Sequence, residues 1–204
     1  MTGLLSIVIA YILGSIPFGY LLTRVATGRD VRASGSGNIG ATNVLRTAGK
    51  KLGIATLALD ILKGTLAVVI AQYLTAASPQ ETQKIWMALA AFAVSAGHVF
   101  PVFLGFKGGK AVATFAGAFG YLMPIPLLLT VIVFVFSVAK TRFISAGSIL
   151  GAGLFPLAAW LVLQPSAIEM LAVITACALV IYRHKSNIER IHAGTENTFK
   201  WGSK

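Results

Sequence analysis

Acidic residues are scarce in this chain: six Asp and Glu stand against 17 Lys and Arg, a formal net charge of +11 over 204 residues. Charged residues of both signs reach only 11%, where a soluble domain carries about 25%. That shortage excludes an ordinary soluble fold, and nothing marks off a separate soluble domain. The single cysteine, Cys177, lies inside an apolar run, so there is no disulfide framework. No group of His, Cys, Asp and Glu has metal-ligand spacing, so neither a metal nor a cofactor is expected. The nucleotide-binding spacing Gly-x-x-x-x-Gly-Lys-Ser/Thr is missing as well. The first apolar stretch has no basic start and no small-residue cleavage site, unlike a cleavable signal peptide. No basic face lies on a soluble element, so nucleic acid is not an expected partner.

What is abundant is apolar, 56% of the chain. Runs at 4–23, 53–74, 85–106, 149–163 and 168–182 read as helices, most of them near the 20 or so residues that cross a bilayer. The stretch between Lys110 and Lys140 is too long for one span: its 29 residues make a helix of about 43 Å against a core of about 30 Å. Pro124 and Pro126 divide it, which predicts two short antiparallel helices, 111–123 and 127–139. Fifteen of the 17 Lys and Arg then fall in the loops at 24–51, 107–110 and 140–142 and in the tail from Arg183, all on one face. By the positive-inside rule that face is cytoplasmic. The expected fold is an all-α integral membrane protein, one domain over 1–204, with about seven transmembrane helices. Its N-terminus is outside and its C-terminus cytoplasmic.

The polar residues gather at breaks between these runs. The stretch GHVFPVFLGFKGGKAVAT (97–114) interrupts the third run, and Lys107 and Lys110 flank Gly108 and Gly109. Glycine lets backbone N–H groups turn toward a ligand, and a helix restarting at Ala111 with Lys110 in its first turn adds a dipole end and a charge. A surface turn with snorkelling lysines would look the same in those three residues alone. The loop 24–51 carries a Ser, Gly, Asn and Thr centre at 34–43, then a short helix with Thr42, Asn43 and Arg46. Asp60 and Lys63, three apart in the second run, form either a neutralised structural pair or a device in which Asp60 orients an active-site cation. Ser145 and Ser148 lie on the basic loop 140–148, and Arg183, His184 and Asn187 follow the last run. Cations, hydroxyls and amides with few acids suit an anionic, phosphate-bearing substrate. Apolar helices admit a fatty chain from the membrane lipids. Together these point to lipid synthesis.

The segments SGSGNIGATNVLR (34–46), DILKG (60–64), GHVFPVFLGFKGGKAVAT (97–114) and YRHKSNI (182–188) resemble the bacterial acyl-phosphate-dependent glycerol-3-phosphate acyltransferases of the inner membrane, over nearly the whole chain. The resemblance implies acyl transfer from acyl phosphate to the 1-hydroxyl of glycerol 3-phosphate, giving lysophosphatidic acid and phosphate, at a site facing the cytoplasm. On that reading Lys110, His184, Ser36 and Arg46 are catalytic. Asn38, Asn43, His98, Gly108, Gly109, Ser148 and Asn187 bind substrate. The amides of Gly108 and Gly109 would meet phosphate or the developing oxyanion. Ala111 departs from the Gly that many members carry there. No nucleophile, base and orienter line up, so direct attack by the substrate hydroxyl is expected, with a histidine or a substrate phosphate oxygen as base. The alternatives are a transporter or channel for a small phosphorylated metabolite, and a lipid-binding scaffold.

Overall fold

The computed structural model describes residues 1–199; Lys200 and Lys204, two of the fifteen basic residues counted above, lie outside the described residues. Among the described residues the regular structure is helical throughout. The chain divides into two compact units, Met1–Leu122 and Met123–Lys204.

The first unit opens with α1 (Thr2–Ser15) and α2 (Phe18–Thr27), one apolar stretch broken at Ile16 and Pro17. Pro17 has no N–H to give the α1 ladder, and Ile16 N closes the helix on Leu13 O at 3.2 Å. A short α3 (Ala41–Ala48) leads into α4 (Lys50–Leu74), α5 (Gln80–Val99) and α6 (Val112–Leu122). Small residues bring these helices backbone to backbone, which in lipid is where the packing energy comes from. A Cβ on Gly14 would sit 2.1 Å from Val94 O, which seats α1 on α5. A Cβ on Gly64 would sit 2.1 Å from Thr114 O, and one on Gly117 1.9 Å from Ile61 O, which seats α4 on α6. Thr65 Oγ1 donates to Gly117 O at 3.0 Å and Tyr121 Oη to Gln72 Oε1, so α6 begins level with the middle of α4 and runs on beside it. Its 11 residues give about 16 Å, short of the roughly 30 Å core. The segment leading into α6 is thereby carried in beside the middle of α4.

The second unit packs α7 (Pro124–Thr141) on α8 (Ile144–Leu163) and α8 on α9 (Ala167–Tyr182), with α10 (Lys185–His192) bent 50° from α9. Ser166 and Glu169 form a capping box that starts α9. Pro124 and Pro126 do not make the expected turn. The helix break falls at Met123, and both prolines sit in the first turn of α7, where a missing N–H has no intrahelical partner to lose. The basic loop expected to reach residue 148 ends at Phe143, and Ser145 and Ser148 belong to the first turns of α8.

Among the described residues, five helical stretches are long and apolar enough to cross a membrane: Thr2–Thr27, Lys50–Leu74, Gln80–Leu104, Pro124–Thr141 and Ile144–Leu163. The bent pair α9–α10 makes a sixth, and α6 is the shorter seventh apolar helix. The α4–α6 seam predicts that Gly117→Ala lowers the thermal unfolding midpoint in detergent by about 5 °C or more, as a methyl is forced into Ile61 O. Gly153→Ala is the control, because a Cβ there meets nothing within 4 Å, and its midpoint should not fall.

Candidate active site

The first polar loop is built around Asn43, which α3 buries beneath it. Asn43 Oδ1 accepts from Ser36 N at 2.9 Å, and Nδ2 lies 3.1 Å from Val31 O, 3.1 Å from Ser34 O and 2.9 Å from Asn38 O. Expected as a substrate contact, Asn43 has its amide committed to loop backbone. Asn38 Oδ1 closes a turn on Gly40 N at 2.8 Å. Val31, Ile39 and Val44 form a small core under the loop, flanked by Tyr20, Ala48, Leu52 and Leu104. Asp30 and Arg32 pair on the rim with 2.7 Å between Arg32 Nη2 and Asp30 Oδ2. The Arg32 hydrogen bonds hold the Asp30 carboxyl below its usual range. Ser36 and Arg46 are exposed.

The glycine loop reaches the same end of the unit through Leu104, which packs on the Val31–Ile39–Val44 core. Its internal bonding corrects the sequence reading. Gly108 N donates to Val99 O and Gly109 N to His98 O, both at 3.1 Å, so the two amides expected to hold an anion tie the loop back onto α5. The glycines serve close approach instead: a Cβ would stand 2.2 Å from His98 O at Gly108 and 2.2 Å from His98 Nε2 at Gly109. Lys110 precedes α6 rather than lying in its first turn, and Ala111 takes the left-handed φ of 61° that a glycine would enter without strain. Phe115 N, on Ala111 O at 2.7 Å, closes the first turn of α6. The amides of Val112, Ala113 and Thr114 therefore have no intrahelical acceptor. The helix-start amides are thus those of residues 112–114, just after Lys110.

Behind that loop lies a buried polar group. Lys63 Nζ is 2.8 Å from Asp60 Oδ1 and donates to Ile16 O at 2.8 Å. His98 Nδ1 is 3.0 Å from Thr114 Oγ1 and 3.6 Å from Asp60 Oδ1. His98, expected to touch substrate, is only 4% exposed.

In the second unit Ser148 Oγ donates to Ile144 O at 2.9 Å, a helical back-bond. His184 Nδ1 meets Val180 O at 2.8 Å. That contact puts the hydrogen on Nδ1 and, in the neutral ring, the lone pair on Nε2. Asn187 leads to a residue the sequence reading missed. Glu196 Oε1 accepts from Asn187 Nδ2 and Ser145 Oγ, both at 2.7 Å, and Oε2 accepts from Arg190 Nε at 2.8 Å. Burial raises the Glu196 pKa, but the hydrogen bonds from Asn187, Ser145 and Arg190 outweigh it and leave it lowered. Its one signal in the sequence was rarity, as one of six acids.

These features describe a helical protein with several helices long and apolar enough to cross a membrane, and no cluster of three metal-ligating side chains occurs among the described residues. A family model described as glycerol-3-phosphate acyltransferase matches residues 4–194. Relatives of the name glycerol-3-phosphate acyltransferase include one from Trichlorobacter lovleyi (50% identical, covering 97% of this chain and 98% of the relative) and one from Geobacter sulfurreducens (49%, covering 94% and 95%). Solved structures of PlsY (YgiH), an integral membrane glycerol 3-phosphate acyltransferase, superpose on 98% of this chain and 96% of theirs. The glycerol 3-phosphate form does so at TM-score 0.90 and 36% identity, the lysophosphatidic acid form at 0.86 and 34%. The chain belongs to the glycerol-3-phosphate acyltransferase family, and it is an acyltransferase.

The Glu196 cluster predicts a pH effect. A carboxylate whose folded pKa is lowered stabilises the fold above its ordinary value near 4.5, and that contribution is lost as pH falls through the lowered value. Glu196→Gln should therefore lower the unfolding midpoint by about 2–6 °C at pH 7. The gap to wild type should shrink below about pH 4 in a series of thermal melts.

Proposed function

We propose that the protein transfers a fatty acyl group from acyl phosphate to the 1-hydroxyl of sn-glycerol 3-phosphate, releasing lysophosphatidic acid and inorganic phosphate. The observation that carries this reading is the seating of Leu104 on the core of the first loop. It brings the Ser36–Arg46 segment and the Lys110 segment, both of phosphate-binding type, to one end of the first unit. The glycerol 3-phosphate and lysophosphatidic acid forms of the PlsY structures support the acceptor and the product.

Lys110, the amides of residues 112–114, Ser36 and Arg46 are the groups proposed to hold phosphate, with Asn38 and Asn43 shaping the loop that presents Ser36. The hydroxyl oxygen attacks the acyl carbon, and the bond from that carbon to the bridging phosphate oxygen breaks. Phosphate leaves with the bonding pair. The hydroxyl proton passes to a phosphate oxygen or to a histidine, the role proposed for His184. Negative charge grows on the bridging oxygen as it leaves, so a fixed cation stabilises the transition state more than the ground state. Acyl phosphate is already activated, and positioning with charge neutralisation supplies most of the rate. Ser148 and Asn187 keep their proposed substrate role, Asn187 oriented by Glu196. The protein is placed in the bacterial inner membrane with seven helices, N-terminus outside and C-terminus cytoplasmic. The gathering of basic residues in the loops at 24–51, 107–110 and 140–142 and after Arg183 supports that orientation.

Purified protein should release phosphate and form lysophosphatidic acid from acyl phosphate and glycerol 3-phosphate, and acyl-CoA should not substitute; equal rates with acyl-CoA contradict the proposed donor. Lys110→Ala should reduce kcat/KM about a hundredfold or more in protein that still purifies folded, the scale of losing one preorganised donor. Lys107→Ala, on the exposed side of the loop, should reduce it less.

A further inference from the structure

We propose that Asp60, His98 and Thr114 are positioning residues that set the Lys110 segment for acyl transfer, and that this is the role of the DILKG stretch at 60–64. The inference rests on the reading of Lys110 as the cation of the site.

Lys110 lies between two attachments to His98, one to its backbone carbonyl and one to its ring. Immediately before it, Gly109 N donates to His98 O at 3.1 Å and its Cα lies against His98 Nε2. Four residues after it, Thr114 Oγ1 meets His98 Nδ1 at 3.0 Å. Displacing His98 therefore displaces both ends of the segment that carries the ammonium. Asp60 lies behind the ring, its Oδ1 3.6 Å from Nδ1, and is paired with Lys63 at 2.8 Å. Lys63 is fixed in turn to Ile16 O, the carbonyl at the break between α1 and α2, and its ammonium lies 5.7 Å from the Phe18 ring. Gly64 finishes the stretch by admitting Thr114 O against α4, which places the Thr114 hydroxyl within reach of His98. Each polar or small residue of DILKG thus has one task in the same chain of contacts.

A general-base role for His98 does not fit. Nε2 faces the Gly109 backbone closely enough that a methyl there would stand 2.2 Å away, and the ring is enclosed between Asp60, Thr114 and Gly109. A walled-in ring cannot take a proton from a substrate hydroxyl, but it can fix a neighbouring charge. A displacement near 1 Å at a catalytic group is enough to lower the rate by about a hundredfold, so such a fixture has a kinetic signature.

The test is a double-mutant cycle on the full-length purified enzyme, read as kcat and KM for acyl phosphate and glycerol 3-phosphate. Asp60→Asn should lower kcat about tenfold or more with little change in either KM, and in a Lys110→Ala background the same change should cost less than about twofold, because the group it positions is gone. Thr114→Val carries the same decision without leaving a charge buried, and Thr114→Ser should restore most of what Thr114→Val loses. If the Asp60 or Thr114 losses multiply in full with the Lys110→Ala loss, the residues only support the fold and the proposal is overturned. If Lys110→Ala alone keeps near-normal turnover, the reading of Lys110 fails first, and the positioning role falls with it.

Discussion

A carboxylate buried between a lysine and a histidine sets the register of the first unit. Asp60 and Lys63 are each no more than 3% exposed, and at that depth an unpaired charge is strongly destabilising. The pair must close, and closing it fixes more than itself. Lys63 reaches the carbonyl at the α1–α2 break, and Asp60 reaches the histidine in the last turn of α5. The glycine seams at Gly14 and Gly64 set the distances at which those reaches succeed. Apolar packing in lipid is weakly directional, so polar contacts of this kind decide which of several close packings is adopted.

The chemistry follows from what surrounds that core. Cations, hydroxyls and helix-start amides suit an anion, and the shortage of acids keeps competing charges away. Three of the acids are engaged: Asp30 by Arg32, Asp60 by Lys63, and Glu196 by Arg190, Asn187 and Ser145. Glu196 organises the second unit's polar end as Asn43 organises the first loop. Each is a buried or half-buried polar hub whose partners lie several residues or more away in sequence.

Hydropathy made the helices legible, because the bilayer enforces a run of apolar residues for each span. Element ends were less so. Ser145 and Ser148 read as loop because serine favours turns, yet Ser148 bonds the carbonyl four residues back and continues α8. Pro124 and Pro126 read as a break in mid-segment, yet proline is tolerated in a first helical turn, and the break moved to Met123. The Asp60–Lys63 pair was visible as a three-residue spacing, whereas the His98 contact needed α4 and α5 side by side. Gly108 and Gly109 were recognised as essential to the loop for the wrong physical reason. Local sequence could not reveal that His98 fills the space their missing side chains leave. Glu196 sits in an aperiodic tail, and only its three partners expose its role.

The most direct test of the central claim is a structure of the enzyme in lipid with a non-transferable acyl phosphonate and glycerol 3-phosphate bound. The account predicts the phosphonate within about 3–4 Å of Lys110 Nζ and of the amides of residues 112–114, with the acyl chain leaving toward the bilayer. A phosphonate bound away from α6, with the Lys110 ammonium turned to the headgroup region, would contradict it.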